Sequence, residues 1–307
     1  MTLKVSIKKR NWKYRNEKYI YLMLLMPIIG FLVFTLYPML WAIRLSWFHY
    51  TGVPSETYFV GWRNFISVLS SDKFWGTYGT SLLFAVMKMP IELSTSLLLA
   101  LFVSGSRKGA GFFRTMYFMP YIISVAIVGV VFSNMFGYFG IINGMLVRFG
   151  IIAEPINWFT SKMTAMWMIV ITSIWQTFGL NVLYFVAALN SVPKELYESA
   201  KIDGAGSFQS FFHITIPCIM PVMRTILMLS LIGSIGTGDI ILVTTGGAPA
   251  GKTFTTAAYM IYNYAPGFAG VGADIGHGSA MSLIVGLITM TITLSYMKVS
   301  DKASRIY

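Results

Sequence analysis

Five charged residues fall within ten positions: Lys194, Glu195, Glu198, Lys201 and Asp203. They interrupt a chain in which only 11% of residues are charged, and apolar runs precede and follow them. Their spacing predicts a short amphipathic helix, a turn at Gly204, and a second helical piece that runs into Pro217 and Pro221. The chemistry on offer is recognition rather than bond making. Glu198 and Asp203 supply charge partners for a basic groove, and the wider Glu195–Asp203 stretch carries the contact. Ser199 and Ala200 keep one helix face thin enough to enter such a groove. Gly204 permits a turn that a side chain would hinder, and Pro217 stiffens the entry into the next apolar run. A helix lying on lipid would favour Lys and Arg, whereas this segment has three acidic and two basic residues. A polar helix–turn–helix of this kind reads as a docking element.

Other constellations are weaker. Gly246-Gly247-Ala248-Pro249-Ala250-Gly251-Lys252-Thr253 satisfies the G-x4-G-K-[ST] pattern of a phosphate-cradling loop. That chemistry needs a strand before it and a helix after it in an α/β domain, but Ile240–Thr245 is the end of an apolar run. Lys88 and Glu92 are one helical turn apart in another apolar run, where ionisable groups face the protein interior. They can neutralise each other or lie near a transport path, and Pro90 between them should bend the helix. Gln176, Asn181 and Tyr184, with Trp175 nearby, put hydroxyl-matching groups beside aromatic faces. Asp239 and Ser234 could face them from a later run. Such a wall, mostly apolar with few polar groups, suits a sugar, although helix–helix contacts use the same residues. Arg224, just beyond Pro221, can snorkel or reach the polar loop. The three histidines are scattered and the one cysteine, Cys218, stands alone, so neither a metal site nor an enzyme constellation is expected.

The elements that must position these groups are membrane helices. The chain is 56% hydrophobic, and a soluble domain carries about 25% charged residues. Six apolar runs are predicted to span: Tyr19–Trp47, Tyr78–Val103, Met116–Phe136, Ala165–Leu189, Ile216–Val243 and Ser279–Met297. Each can cross ~30 Å of hydrocarbon as a helix, the form that satisfies its own backbone in lipid. The predicted organisation is a basic tail over 1–18, a transmembrane domain over 19–297 with the polar loop at 190–216, and a short tail over 298–307. The net charge of +12 is distributed as topology demands rather than as a nucleic-acid face. Fifteen Lys/Arg fall in the N-terminal tail, the second-to-third connection, the polar loop and the C-terminal tail. Only Arg63, Lys73, Arg148, Lys162 and Lys252 fall in the other connections. The excess puts both termini and the polar loop in the cytoplasm. The first run is too long for a signal-peptide core and lacks an Ala-x-Ala cleavage pattern, so a retained anchor is expected.

Glu198-Ser199-Ala200, then Gly204 after three residues, then Ile214-Thr215-Ile216-Pro217 after nine more, resembles a known signature. It is the EAA motif, Glu-x-Ala-x3-Gly-x9-Ile-x-Leu-Pro, of the membrane subunits of binding-protein-dependent ABC importers. Ser199 replaces a usual Ala and Ile216 a usual Leu. Tyr37-Pro38, Gly61-Trp62-Arg63-Asn64-Phe65, Phe113–Pro120, Gly140-Ile141-Ile142-Asn143 and Thr245–Pro249 with Thr253 also resemble the carbohydrate, maltose-permease-F-like group. The resemblance implies an all-α integral membrane protein with six transmembrane helices, the type I ABC importer permease fold, and a cytoplasmic EAA coupling helix. It implies a bacterial cell-membrane location and a heterodimer with a second related permease. It further implies an ABC ATPase dimer that supplies ATP and Mg, an extracellular solute-binding protein, and a carbohydrate cargo, expected to be an oligosaccharide. ATP hydrolysis is expected in the partner ATPase, with no cofactor in this chain. An ion-coupled secondary transporter is the alternative that Lys88, Glu92 and Asp239 would serve. It calls for an inverted internal repeat, and none is visible.

Overall fold

Backbone N–H and C=O groups find no water in hydrocarbon, so each apolar run must close its own hydrogen bonds. The computed structural model describes residues 17–104, 110–245, 255–265 and 273–304. Within them, nearly all ordered structure is helix. The basic N-terminal residues up to 16, the phosphate-loop-like 246–253 and Arg305 lie outside the described residues.

The chain opens with α1 (Glu17–Phe31), a π turn over Leu32–Leu36, and α2 (Tyr37–Leu45). Two-residue strands β1 (Phe48–His49) and β2 (Tyr58–Phe59) then pair antiparallel, the one departure from an all-α layout among the described residues. After α3 (Arg63–Leu69) comes α4 (Asp72–Val103), whose N-cap Ser71 accepts a hydrogen bond from the Phe74 amide at 3.3 Å. Pro90 lies inside this uninterrupted 32-residue helix. Next are α5 (Ala110–Ile122), α6 (Val125–Met135), α7 (Ile141–Arg148) and α8 (Lys162–Asn190). The polar loop supplies α9 (Lys194–Ile202) and α10 (Ser207–Ser210), and a π turn over Phe211–Thr215 leads into α11 (Ile216–Ile235). α12 (Asp239–Thr245), α13 (Thr256–Tyr264) and α14 (Ile275–Ser304) complete the order.

Five helical segments are long and apolar enough to cross a membrane: Tyr21–Leu45, Asp72–Val103, Lys162–Asn190, Ser207–Ile235 and Ile275–Ser300. The sixth predicted span, Met116–Phe136, is not one straight helix. α5 and α6 meet at 91° and count as a span only together. Pro120 lies in the last turn of α5, and the Ile123 carbonyl at the bend accepts a hydrogen bond from Gln176 Nε2 at 3.3 Å. The fifth predicted span also divides. α11 ends at Ile235, the run Gly236-Thr237-Gly238 follows, and Asp239 starts a separate short helix. Glycine at two of these three positions removes the side chains that favour helix continuation. Both π turns share a cause. Leu32–Leu36 and Phe211–Thr215 each end two residues before a proline, Pro38 or Pro217. The missing proline N–H and its ring conflict with i→i−4 bonding, and the wider i→i−5 turn accommodates both. Tyr37 N donates to Leu32 O and Ile216 N to Phe211 O in this way.

The core is centred on α8, which packs most extensively against α4. Phe84, Val128, Met166, Ile169 and Ile241 join α4, α6, α8 and α12. Ala100, Val182, Phe185 and Ile226 join α4, α8 and α11. α5 crosses α8 with backbones almost touching, since a Cβ on Gly179 would lie 1.8 Å from the Tyr117 carbonyl oxygen. Small residues allow this approach between membrane helices. Two asparagines fasten the connections. Asn64 Nδ2 donates to Ser46 O and Phe48 O, both at 3.0 Å. Asn143 Nδ2 donates to Gly137 O, Tyr138 O and Ile156 O, while its Oδ1 accepts from Ile156 N and Trp158 Nε1. By contrast, the first span leaves its whole hydrocarbon-length window uncovered, with Met26 83% and Phe34 82% exposed.

The crossing at Gly179 sets a test. Gly179→Ala should destabilise the purified protein by about 2 kcal/mol, the usual cost of overpacking a filled contact. Gly144→Ala, where the new methyl meets nothing within 4 Å, should not lower the melting temperature. Thermal unfolding in detergent compares the two, and equal midpoints for both variants would refute the tight crossing.

Candidate functional site

The polar loop is built to present one helix outward. Asp203 N closes α9 onto Ser199 O at 3.0 Å, and Gly204 N donates to Lys201 O at 3.2 Å. Gly204 then takes φ +80°, left-handed backbone that favours glycine. A Cβ there would touch nothing within 4 Å, so the requirement is the dihedral angle and not space. Ala205 N returns to Ala200 O at 2.9 Å, and Gln209 Oε1 accepts from Gly206 N at 3.0 Å. Across the turn, the Tyr197 and Thr215 hydroxyls bond at 2.8 Å. Ala188, Val192 and Ile219 form a buried cluster with Tyr197, Ile214 and Ile216 packed against it. The loop is therefore anchored to α8 on one side and is continuous with α11 on the other.

α9 has no buried residue. Glu195, Glu198, Ser199, Asp203 and Gly204 are exposed and Ala200 is half-buried. Pro217 stands in the first turn of α11, directly after the π turn. Beside the acidic side chains lie apolar ones that sequence reasoning missed: Leu196, Ile202, Phe208 and Phe212 are all exposed, with Ile202 at 87% and Phe208 at 76%. Large apolar groups clustered on a polar loop mark a contact surface. Their period gave no warning, because an amphipathic pattern predicts a face and not what covers it.

A second polar centre lies inside the bundle. Lys88 Nζ is 3.4 Å from Glu92 Oε2, with side chains 7% and 1% exposed. Thr177 Oγ1 on α8 donates to Glu92 Oε1 at 2.6 Å, and Ser230 Oγ on α11 donates to Oε2 at 3.4 Å. One carboxylate thus joins three helices, with a second α4–α8 bond from Ser96 Oγ to Phe178 O at 3.1 Å. The i, i+4 spacing of Lys88 and Glu92 was legible. Thr177 and Ser230 carried no signal, since single hydroxyls recur throughout the spans.

The remaining candidates do not converge. Gln176 is buried and donates to Ile123 O at the α5–α6 bend. Asn181 is buried one turn and a half further on, and Tyr184 is 39% exposed. Asp239 is exposed at the start of α12, and no hydrogen bond among the described residues links it to the other three. Arg224 does not reach the polar loop. Its Nη1 donates to Ser300 O at 2.9 Å, while Tyr296 OH donates to Arg224 O at 3.0 Å, so it fastens α11 to α14. His49 Nδ1 pairs with Asp274 Oδ2 at 2.8 Å, His213 meets Gln209 O at 3.0 Å, and His277 packs on Tyr264. No group of three His, Cys, Asp or Glu among the described residues could hold a metal ion.

Residues 92–302 match the family model described as binding-protein-dependent transport system inner membrane component. The chain belongs to this family. It is 33% identical to the trehalose/maltose transport system permease protein MalF of Thermococcus litoralis, over 94% of this chain and 95% of that protein. It is 32% identical to the lactose transport system permease protein LacF of Rhizobium radiobacter, over 87% and 88%. The sn-glycerol-3-phosphate transport system permease protein UgpA of Yersinia pseudotuberculosis is 33% identical, over 83% and 84%. A bacterial ABC transporter involved in the import of the acidic polysaccharide alginate contains a chain of the same fold. Its TM-score is 0.77 at 24% identity, with 94% of this chain and 96% of that one covered. The fold is thus that of a type I ABC importer permease, and the chain is an inner-membrane transport component.

The Glu92 node generates a prediction. Removing one member of a buried ion pair strands the other and costs about 3–5 kcal/mol. Glu92→Leu should therefore lower the melting temperature of the purified protein sharply. The double variant Lys88→Met/Glu92→Leu should recover most of that loss, because two apolar groups leave no charge unpaired. If the double variant melts no higher than Glu92→Leu alone, the pair is not the source of the cost.

Proposed function

We propose that the chain is one permease half of an ATP-driven importer and that it carries a carbohydrate, with an oligosaccharide as the expected cargo. The observation that carries the reading is the exposed α9, linked through the turn at Gly204 to the helical path that becomes α11. Acidic residues Glu195, Glu198 and Asp203 and apolar knobs Leu196, Ile202 and Phe208 stand there unburied. A partner with a basic, apolar groove would cover them. The Lys/Arg excess in the tails and in this loop supports a cytoplasmic position, where an ATPase dimer holding ATP and Mg would dock. On this reading the chain divides into a tail over 1–18, spans over 19–297 and a tail over 298–307, of which residues 298–304 continue α14.

The uncovered first span supports a second related permease as neighbour, with lipid on the rest of its surface. Named relatives for trehalose/maltose and lactose favour a sugar cargo, and UgpA keeps a polyol phosphate in view. A solute-binding protein would deliver that cargo on the opposite face. Gln176, Asn181, Tyr184 and Asp239 are the side chains we assign to its passage. In the cycle, closure of the ATPase dimer moves α9, α11 moves with it, and the bundle exchanges inward-facing for outward-facing access.

The reconstituted importer tests this. Proline cannot adopt φ +80°, so Gly204→Pro should abolish uptake and substrate-stimulated ATP hydrolysis while the protein still inserts. Gly204→Asn, which tolerates left-handed backbone, should retain most of both. Glu198→Lys should lower both at least about tenfold, because like charges facing each other across an interface cost several kcal/mol. Uptake at the wild-type rate in Gly204→Pro and Glu198→Lys would contradict the docking role. Uptake that collapses with the ion gradient while ATP remains would favour the ion-coupled alternative.

A further inference from the structure

A cavity of about 750 Å³ lies behind α9, on its bundle side. It is within the range of small-ligand sites, about 300–1,000 Å³. Its apolar wall comes from the span ends, Leu101 on α4, Leu189 on α8 and Phe211 at the entry to α11. Its polar wall comes from Lys194, Tyr197 and Lys201 of α9, joined by Ser104, Asn190 and hydroxyls of the Ser207–Thr215 segment. Lys194 and Lys201 are seven residues apart, two helical turns, and so share a face. Neither makes an ion pair among the described residues. No carboxylate lines the cavity, since Glu195, Glu198 and Asp203 of the same loop are absent from its wall. Two lysines without an ion pair among the described residues thus flank a cleft with an apolar wall, and Glu198, one helical turn from each, does not line it.

We infer that this cleft binds a phosphate-bearing anion, an acidic phospholipid whose headgroup phosphate meets the lysines and whose acyl chains lie on the greasy wall beside them. The span ends that form the wall place the cleft at the membrane–water boundary. Basic pockets between span ends hold anionic headgroups by this combination of charge and apolar contact. A bound phosphate would bridge Lys194 and Lys201 and hold α9 against the ends of α4 and α8. The site does not depend on what covers the outer face of α9, so it stands or falls separately from ATPase docking.

Native mass spectrometry of the full chain in neutral detergent reads the site, titrated with phosphatidylglycerol and with phosphatidylcholine. The expected result is one saturable tight site for phosphatidylglycerol and none for phosphatidylcholine. Lys194→Gln/Lys201→Gln should weaken it by roughly twenty-five-fold, since each lysine beside an anionic headgroup contributes about a factor of five. Lys298→Gln, on an exposed lysine at the C-terminal end of α14, should leave it unchanged. Inorganic phosphate, followed by its phosphorus resonance, distinguishes the source. Broadening that is lost in the double variant, without lipid binding, keeps the site but assigns it to a soluble phosphate. Three results would overturn the inference: wild-type protein that binds neither ligand, a double variant that binds both as wild type does, or a control Lys298→Gln that weakens binding as much as the double variant. A melting temperature equal to wild type excludes misfolding of the double variant.

Discussion

The bond between the Tyr197 and Thr215 hydroxyls, 2.8 Å long, closes the polar loop on itself. Without it, α9 would be tied to α11 by the turn at Gly204, the short α10 and the packing of Tyr197 against Ile219 and its neighbours. With it, the helix that faces outward is held at two points, by Val192 and Ala188 beneath its start and by Thr215 opposite its middle. A displacement of α9 is then a displacement of the root of α11. Thr215 is 4% exposed, whereas Tyr197 is half-buried and lines the cleft behind α9.

Further along α11, Ser230 meets Glu92, which also holds Lys88 and Thr177. The loop and this node lie on one continuous helical path from Ser207 to Ile235. At its far end Gly236 to Gly238 releases the chain into α12, and near its root Arg224 fastens it to α14. On the proposed reading, α11 is the lever, the node is where it bears on α4 and α8, and the glycines free its tip. The stiff parts are polar bonds in a low-dielectric interior, where an unsatisfied group is costly.

Much of this was legible because membrane helices announce themselves by length and composition. Each of the straight spans coincides with an apolar run, and Gly204 takes the turn that its position in the pattern required. The α5–α6 bend was not legible. Pro120 alone does not distinguish a kink from a right-angled break, and the partner that makes the break tolerable, Gln176, is 53 residues away from Ile123. Asn64 and Asn143 belong to stretches that sequence comparison would single out, yet their amides serve the backbone of the connections. Pairing of Lys88 with Glu92 followed from spacing, whereas the hydroxyls that complete the node come from helices whose relative rotation no single sequence fixes. The exposed Ile202 and Phe208 show the same limit from the other direction, because periodicity alone does not say which apolar groups the fold leaves uncovered.

The central claim is that the outer face of α9 lies in the cytoplasm and is covered by an ATPase. It is tested most directly by thiol labelling at Ile202→Cys in a Cys218→Ser background, which removes the exposed native thiol. A membrane-impermeant maleimide should leave intact cells unlabelled and label inside-out vesicles, and addition of the ATPase subunits should suppress that labelling. Labelling of intact cells, or labelling of vesicles that the ATPase does not change, would contradict the account.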